Sequence, residues 1–261
     1  MRTYDEYRQI LELWEQHIPK KRIGLMLNIP RGTVTDCIRR YGSLAELEAN
    51  KEWASRNTPN EVLNRVQDVQ HTEIQRAYAY VLGIYLGDGS IGRARQIYRL
   101  RISLDAHYPN IIALCSKRIQ MLLPDNEVGL VERDYQGRLS CVDVSSYHKF
   151  WPDLLPQHGD GPKHKREIKL EDWQLQIVNS YPLEFFRGLY HSDGSRDRNV
   201  VNDKEYPRYA FSNLSPDIQQ LFCYACNLLG LHWTIASSDT SINISKRPDV
   251  AFLDQHIGPK S

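Results

Sequence analysis

Hydrophobic positions near the N-terminus recur with the spacing of short helices. The first helical face lies within residues 4–16 and consists of Tyr4, Tyr7, Ile10, Leu11 and Trp14. After a break at Pro19, the pattern predicts two further helices, over residues 20–27 and about 31–40, which are joined by a turn. We therefore expect a small all-α domain over residues 1–60.

A polar, Pro-containing linker over residues 54–62 separates this domain from two long passes of similar pattern. From about residue 74, and again from near Pro182, the order of periodicities is helix, two strands, helix, two strands, helix. We therefore predict an α+β fold in which an αββαββα unit occurs twice, with the first repeat over residues 70–160 and the second over 161–261.

Two matching segments mark the start of the repeats. The first is YVLGIYLGDGS at residues 80–90, and the second is FFRGLYHSDGS at residues 185–195, 105 residues further along. The alignment pairs Gly83 with Gly188, Ile84 with Leu189, Tyr85 with Tyr190, Gly87 with Ser192 and Asp88 with Asp193. Agreement over so many positions and elements indicates an internal duplication.

The small residues of these segments predict a close helix pair. Gly83 and Gly87 lie four residues apart and so share one face of the predicted helix. Each glycine costs about 1 kcal/mol relative to alanine inside a helix, and close approach of a second backbone is the usual compensation. Gly188 and Ser192 offer the same narrow face. We expect the two helices to pack along these faces, with an aspartate at each C-terminal end.

The aspartates at these helix ends, Asp88 and Asp193, predict a metal site. A helix C-terminus carries partial negative charge and adjacent carboxylates repel each other, so a divalent cation stabilises both. Carboxylate oxygens and the main-chain carbonyls of Gly87 and Ser192 are hard ligands, which suit Mg²⁺. Such a centre can activate water and stabilise the leaving oxygen of a phosphodiester.

Composition excludes several classes of protein. The chain of 261 residues is 41% hydrophobic and contains no run of 18 apolar residues, which excludes a membrane span. The N-terminal stretch MRTYDEYRQI contains acids and no apolar run, so we expect no signal peptide and a cytoplasmic protein that associates with nucleoid or organelle DNA. Five scattered cysteines, an odd number, argue against a disulfide framework.

Positive charge is concentrated locally, although the net charge is only +1. Residues 20–41 contain six basic residues against one acid, and residues 90–104 contain four arginines and no acid. The basic segment KHKRE, residues 163–167, lies in the predicted connection between the repeats, where it can contact phosphates. A chain that is neutral overall can thus present basic faces to nucleic acid.

The segments VLGIYLGDG and FRGLYHSDG resemble the two signature motifs of single-chain LAGLIDADG homing endonucleases, and the resemblance covers roughly residues 74–261. It implies a saddle of two four-stranded antiparallel sheets astride double-stranded DNA, with Mg²⁺-dependent hydrolysis of both strands. By this resemblance Asp88 and Asp193 correspond to the metal-binding catalytic acids. We expect a monomer with internal pseudo-two-fold symmetry.

The resemblance also implies supporting residues in each repeat. A polar residue often ends the second strand, which here falls near Asp105 and Asn213, where it would position water. A lysine often follows the fourth strand, and Lys246 fits this place in the second repeat, where it would stabilise phosphate charge. The first repeat has serines there and no lysine until Lys149. The two DNA strands are therefore expected to be cut at unequal rates.

Arginines on the predicted strands are the candidate DNA contacts, because arginine binds guanine bidentately or grips phosphate. In the first repeat these are Arg93, Arg95, Arg99, Arg101, Arg133 and Arg138, and in the second repeat Arg196, Arg198 and Arg208.

The segment KRIGLMLNIPRGTVTDCIRRYGS resembles the helix-turn-helix of DNA-binding proteins. Its second helix would present to a groove or to phosphates Arg31, Thr33, Thr35, Asp36, Arg39 and Arg40. The alternative is a small helical appendage that binds protein or nothing. If the domain binds DNA, it tethers the nuclease and adds affinity through effective concentration.

These observations favour a Mg²⁺-dependent, site-specific double-strand DNA endonuclease. We expect a free-standing enzyme of intron homing rather than an intein, because residue 1 is not Cys or Ser and no His-Asn ends the chain. A non-catalytic DNA-binding transcription regulator that retains the fold is an alternative, although such a protein has no need of paired aspartates. An RNA-binding intron maturase is a third possibility, which preferential binding of folded intron RNA over duplex DNA would favour.

Overall fold

A computed structural model gives the arrangement of the chain and describes residues 4–49, 59–95, 97–124, 126–135, 138–201, 203–236 and 240–261. The chain divides into two compact units, an N-terminal unit of residues 1–61 and a repeat unit of residues 62–261. Among the described residues, no helix is long and apolar enough to cross a membrane.

The N-terminal unit is helical. It contains α1 (Tyr4–Glu15), α2 (Lys20–Met26), α3 (Arg31–Tyr41) and further helical residues at 44–49. Ile10, Ile23 and Val34 are fully buried and belong to its hydrophobic core. The turn between α2 and α3 packs directly on α2, because a Cβ at Gly24 would lie 2.7 Å from the carbonyl oxygen of Ile29. The chain therefore has the helix, turn, helix order expected from its sequence.

The expected linker over residues 54–62 is only partly described, since residues 54–58 lie outside the described part of the chain. Its remaining residues belong to α4 (Pro59–Gln67). The stretch was predicted as a linker because it is polar. Val62 and Val66 nevertheless lie four residues apart on one helical face, and both are fully buried in the core of the repeat unit.

The repeat unit contains two αββαββα repeats, as predicted. The first consists of α5 (Thr72–Asp88), β1 (Gly89–Ala94), β2 (Ile97–Asp105), α6 (Pro109–Leu122), β3 (Val128–Tyr135), β4 (Arg138–His148) and α7 (Trp151–Leu154). A 3₁₀ turn (Lys163–Lys165) and α8 (Asp172–Ser180) connect it to the second. The second consists of α9 (Pro182–Asp193), β5 (Gly194–Val201), β6 (Lys204–Ser212), α10 (Pro216–Leu228), β7 (Thr234–Ile235), β8 (Ser241–Ile244) and α11 (Arg247–His256).

Each repeat builds one four-stranded antiparallel sheet, and the two sheets have the same topology. The strand orders are β1-β2-β4-β3 and β5-β6-β8-β7. The registers also correspond, since Gly89 pairs with Ile102 in the first sheet and Gly194 pairs with Phe211 in the second. This agreement confirms the duplication that the sequence predicted.

Alternation along the strands gives each sheet a buried face and an open face. In β2, the buried positions are Leu100, Ile102 and Leu104. Arg99 and Arg101 alternate with these positions and therefore lie on the opposite, open face. The helices that cover the buried face include α5, in which every residue from Ala77 to Leu86 is buried. A helix that is apolar all round is expected at the centre of a fold.

Candidate metal centre and nucleic-acid interface

The two motif helices, α5 and α9, cross with their backbones in direct contact. A Cβ at Gly83 would lie 2.9 Å from the amide nitrogen of Leu189 and closer still to the carbonyl oxygen of Phe185. A Cβ at Gly188 would lie 2.7 Å from the amide nitrogen of Ile84. No side chain fits at either position, so the packing of small faces expected from the sequence is present.

This crossing brings the two helix ends together. Asp88 and Asp193 are the last residues of α5 and α9. A Cβ at Gly87 would lie 2.5 Å from the Oδ2 atom of Asp193 and would overlap the Ser192 side chain. The carboxylate of the second repeat therefore reaches the backbone of the first.

Both carboxyl groups have raised pKa values. Burial and the nearby charge of Asp193 raise the pKa of Asp88 to about 7, against the opposing effect of Lys260 and Lys163. Burial also raises the pKa of Asp193, although the amide of Asn213 donates a hydrogen bond of 2.8 Å to its Oδ2 atom and opposes the shift. Burial and the negative charge of its neighbour thus disfavour the ionised form of Asp88, and nearby positive charge favours the ionised form of both acids.

Two lysines supply positive charge at the helix ends. The ammonium group of Lys163 donates to the carbonyl oxygens of Tyr85 at 2.6 Å, Gly89 at 2.6 Å and Gly87 at 3.2 Å. Burial lowers the pKa of Lys163 to about 8, although the two aspartates act in the opposite direction.

The second lysine is Lys260, which follows α11. Its ammonium group donates to the carbonyl oxygen of Ser192 at 2.8 Å. Burial lowers the pKa of this lysine, against the charges of Asp88, Asp193 and Asp105. Both ammonium groups thus lie at the negative ends of the helix dipoles, where cations are favoured.

A cavity opens beside each aspartate. The Asp193 cavity has a volume of about 450 Å³, and the residues around it include Lys163, Gly87, Ser212 and Asn213. The Asp88 cavity, of about 340 Å³, includes Lys260, Ser192, Ser103 and Asp105. Each cavity therefore combines one aspartate, one lysine and the residue at the end of the second strand of one repeat.

The two candidate water-positioning residues have different partners. Asn213 is hydrogen-bonded to Asp193, as described above. Asp105 accepts hydrogen bonds from the backbone nitrogen of His107 at 2.9 Å and from its Nδ1 atom at 2.7 Å, and the first of these is the main reason that its pKa is lowered. Asp105 is exposed and stays ionised. Asp105 borders the Asp88 cavity. The hydrogen bonds of the described residues include none between Asp105 and Asp88.

Lys246, which the resemblance placed after the fourth strand to stabilise phosphate charge, lies at the exposed N-terminal end of α11. Among the described residues that border the two cavities, the lysines are Lys163 and Lys260. Lys163 belongs to the basic segment KHKRE, which was predicted to contact phosphates. Lys260 lies in a short polar stretch, and no local pattern distinguishes it.

The open face of the first sheet carries a basic depression. A cavity of about 530 Å³ is bordered by Arg93, Arg99, Arg101 and Tyr147. The guanidinium of Arg99 lies over the ring of Tyr147, 5.6 Å from its centroid. Arg101 donates to the hydroxyl of Ser90 at 3.3 Å. This face therefore combines fixed guanidinium groups with an exposed aromatic ring.

A buried carboxylate lies beneath these arginines. Asp143 is fully buried and accepts hydrogen bonds from Ser103 at 2.6 Å and from the Nε atom of Arg133 at 2.7 Å. Burial alone would raise the pKa of Asp143, but these hydrogen bonds and the charge of Arg133 outweigh it and lower the pKa. A second arginine, Arg99, approaches the same carboxylate to 3.9 Å.

The equivalent positions of the second sheet retain one arginine but lack the buried carboxylate. Arg208 corresponds to Arg99, since each pairs with the third residue after the glycine that begins the sheet. The partner of Asp143 in the first sheet is Ser103, whereas the corresponding pair in the second sheet is Ser212 and Ser241, whose hydroxyls are 2.5 Å apart.

The remaining strand arginines have varied surroundings. Arg93 and Arg95 are exposed near the turn between β1 and β2, and the side chain of Arg138 lies outside the described part of the structure. Arg198 forms an exposed ion pair with Glu205 at 2.9 Å.

Arg196 faces the helices instead of the open face. It forms a double hydrogen bond with Asp254 of α11 at 2.7 and 2.8 Å, and Tyr209 donates to the same carboxylate at 2.7 Å. Arg196 pairs with the buried Tyr209 and therefore lies on the same, covered face of the sheet. Its hydrogen bonds with Asp254 connect α11 to the sheet.

The candidate DNA contacts of the N-terminal unit lie on α3. Arg31, Arg39 and Arg40 are exposed, and Thr33 and Thr35 are half-buried. Arg39 forms an exposed ion pair with Asp36 at 2.8 Å. Because Val34, Cys37 and Ile38 are buried, these side chains share the outer surface of the helix.

The donor atoms at the helix ends fit a divalent cation in part. Among the described residues, no group of three or more His, Cys, Asp or Glu side chains could hold a metal ion. The two carboxylates of Asp88 and Asp193 are nevertheless hard oxygen ligands with an unmet need for positive charge. The carbonyls of Gly87 and Ser192, expected from the sequence to add ligands, accept hydrogen bonds from Lys163 and Lys260.

Comparison with known proteins yields a likeness of fold. No family model matches the sequence, and no curated protein matches it significantly. Similar solved structures include the homing endonuclease I-WcaI bound to its DNA recognition sequence (14% identity, 70% of this chain and 80% of that chain, TM-score 0.49). They also include the N-terminal LAGLIDADG domain of DUF199/WhiA (12%, 79% and 92%, 0.44) and the I-LtrWI LAGLIDADG homing endonuclease bound to target DNA (9%, 70% and 84%, 0.44). At these identities the likeness concerns the fold and says nothing about activity.

Proposed function

We propose that the repeat unit is a divalent-metal-dependent endonuclease that cleaves double-stranded DNA at a specific site. The observation that carries the proposal is the pairing of Asp88 with Asp193 at the ends of two helices in backbone contact. Both carboxyl groups have raised pKa values, so the arrangement is unfavourable without added positive charge. Each borders a cavity large enough for a phosphate group and water.

The chemistry follows from the residues at the helix ends. Asp88 and Asp193 would hold Mg²⁺, which when bound supplies a more acidic water and stabilises charge on a phosphodiester. Asn213 orients the Asp193 carboxylate through its hydrogen bond. Asp105, ionised at the rim of the Asp88 cavity, can accept a proton or orient a water molecule. Lys163 and Lys260 lower the cost of bringing an anionic phosphate to two carboxylates.

The open faces of the two sheets supply the DNA-binding surface in this proposal. Arg99 and Arg101 line a depression on the first sheet, and Arg208 lies at the position equivalent to Arg99 on the second. Guanidinium groups that stand on a rigid strand can contact guanine edges or phosphates with little loss of freedom. Because one chain provides both acids and both sheets, we propose that it acts as a monomer.

The N-terminal unit adds a second DNA contact in this proposal. The exposed residues Arg31, Arg39 and Arg40 lie together on α3, which follows a helix and a turn in the order of a helix-turn-helix. Covalent connection to the nuclease would raise affinity through effective concentration.

The test begins with selection of bound duplexes from random DNA, followed by incubation of those duplexes with Mg²⁺. We expect the wild-type chain to cut both strands of the selected site, and the variants Asp88→Asn and Asp193→Asn to bind the site without double-strand cleavage. The exposed variant Asp153→Asn, in α7, is the matched control and should cut like the wild type. Binding by the wild type without any cleavage would overturn the enzymatic proposal.

One observation favours a second candidate function, a DNA-binding regulator without nuclease activity. Lys163 and Lys260 already place two positive charges at the helix ends that carry Asp88 and Asp193. These charges oppose the rise in the pKa values of both acids and so offset part of the cost of keeping them without a metal. Site-specific binding that is unchanged by chelators, together with an absence of nicking by the wild type, would support the regulator.

A further inference from the structure

The ammonium group of Lys163 occupies a cage of main-chain carbonyls at the end of α5. It has three carbonyl partners within 3.2 Å, which belong to Tyr85, Gly87 and Gly89. It also lies 4.8 Å from the centroid of the Tyr85 ring. All three ammonium hydrogens therefore have acceptors, and the group is held as a coordinated cation would be.

The equivalent lysine of the other half is held less firmly. Among the described residues, Lys260 donates to one helix-end carbonyl, that of Ser192, at 2.8 Å. Its ring contacts are longer, at 5.8 Å to Tyr108 and 6.0 Å to Tyr190. The two halves of the candidate centre thus differ in how tightly the lysine closes the carbonyl end of the helix.

We propose that Lys163 and a divalent cation compete for the carbonyl end of α5, so that Lys163 limits the metal affinity of the centre. This inference rests on the proposed function for its cation. Gly87 is the residue before Asp88, and its carbonyl can serve either the ammonium group or a metal ion. A positive charge fixed beside two carboxylates also repels a second cation that approaches them.

Removal of the ammonium group should therefore create a stronger metal site. In a Lys163→Met variant, three carbonyls lose the ammonium donor, although the carbonyl of Tyr85 still accepts from the backbone nitrogen of Gly89. Asp88 and Asp193 lose a neighbouring positive charge. Oxygen atoms of both kinds are the ligands that hard divalent cations prefer. Lys260→Met frees a single carbonyl and should have the smaller effect.

The test is a titration of the full chain with Mn²⁺, in which electron paramagnetic resonance measures the free ion. We expect Lys163→Met to raise Mn²⁺ affinity by about tenfold or more over the wild type, because a unit charge that interacts with both carboxyl groups is removed. Lys260→Met should raise it less. The matched control is Lys165→Met, an exposed lysine of the same 3₁₀ turn, which should leave affinity unchanged.

A charge-preserving variant and a double variant identify the cause. Lys163→Arg keeps the charge and should show no gain, whereas Asp193→Asn in the Lys163→Met background should abolish it. Circular dichroism establishes that each variant is folded. The proposal is overturned when folded Lys163→Met binds Mn²⁺ no more tightly than the wild type.

A measurement on the wild-type chain requires no substitution. A caged ammonium group exchanges its protons slowly, so the Lys163 side chain should give a protected ¹⁵N signal in nuclear magnetic resonance. Saturating Mg²⁺ should remove this protection, and a signal that persists while Mg²⁺ binds would contradict the proposal.

The experiments distinguish failure of the proposed competition from failure of the proposed nuclease function. Cleavage by the wild type with no change of Mn²⁺ affinity in Lys163→Met refutes the competition alone. A gain in affinity without cleavage by the wild type supports the competition and refutes the nuclease.

Discussion

At the scale of single residues, two glycines determine whether the repeat unit assembles. Gly83 and Gly188 lie in mutual contact, and the atoms that a side chain would meet are backbone atoms of the opposite helix. Backbone atoms cannot rotate away as a side chain can. A methyl group at either position therefore forces the two helices apart along their whole contact.

Substitution of Gly188 by alanine should be strongly destabilising. The added Cβ would lie 2.7 Å from the amide nitrogen of Ile84, so we expect a loss of about 3 kcal/mol or more in the free energy of unfolding, as for overpacked cores. Urea denaturation measures this loss. Gly92→Ala is the control, because no atom of the described part of the chain lies within 4 Å of its Cβ position. A loss below 1 kcal/mol in Gly188→Ala would show that the helices can separate cheaply.

Asp143 is a second residue whose removal should be measurable. We expect Asp143→Asn to lower the free energy of unfolding by about 1–3 kcal/mol, because the hydrogen bonds from Ser103 and Arg133 no longer have a charged acceptor. The pKa of Asp143 is lowered in the folded protein, so its stabilising effect is complete above the unfolded pKa of about 4 and is lost as the pH falls further.

The pH dependence distinguishes this charge effect from simple loss of packing. The difference between wild type and Asp143→Asn, measured by urea denaturation, should be constant from about pH 5 to 8 and should shrink below about pH 4. A difference that stays the same down to pH 3 would mean that the carboxylate charge contributes nothing.

At the scale of elements, the register of each strand decides the role of its arginines. Arg101 lies on the open face of β2, where it borders a cavity. Arg196 lies on the covered face of β5 and is held by Asp254. Two arginines that look alike in the sequence thus have opposite surroundings.

Alanine substitution should separate these two roles. We expect Arg101→Ala to weaken binding to the selected DNA by about 1–3 kcal/mol and to reduce the slope of log affinity against log salt by about 0.9. Arg196→Ala should leave that slope unchanged and instead lower stability by about 1 kcal/mol, through the lost contacts with Asp254. Fluorescence anisotropy at several salt concentrations and urea denaturation provide the two measurements. Equal slopes for Arg101→Ala and the wild type would exclude Arg101 as a phosphate contact.

The sequence predicts the motif helices, whereas the two lysines at their ends, Lys163 and Lys260, are identified from the folded chain, for a physical reason. The glycines and aspartates of α5 and α9 can be recognised from short segments of sequence, because their spacing is that of one helical face and the segment occurs twice. Lys163 and Lys260 lie in polar segments whose position depends on the folding of everything before them. Lys246 lies where the chain enters α11, and its role in stabilising phosphate charge stays a prediction. The later Lys260 reaches the end of α9.

At the scale of the whole molecule, the described residues form two separate hydrophobic cores. The core of the N-terminal unit includes Leu11, Val34 and Leu47, and the core of the repeat unit begins at Val62. Both repeats contribute to the second core, because α5 and α9 lie at its centre. The repeats were predictable as copies, whereas the single core that their described residues share follows from the packing of the two copies.

Two cores predict two unfolding transitions. We expect differential scanning calorimetry to resolve them, with Val34→Ala shifting only the transition of the N-terminal unit. This variant removes buried methyl groups at a cost of about 1–3 kcal/mol, which in so small a unit corresponds to a shift of several degrees. Gly188→Ala should shift only the other transition. A single transition that both substitutions lower would show that the two units unfold together.

The contact between Gly83 and Gly188 also limits how the molecule can be recombined. A chimera that joins the first repeat to a foreign second repeat will assemble only when the donor brings a glycine to the same place on its helix. Sheets, loops and strand arginines can be exchanged between such proteins, whereas this one point of backbone contact must be matched by both parents.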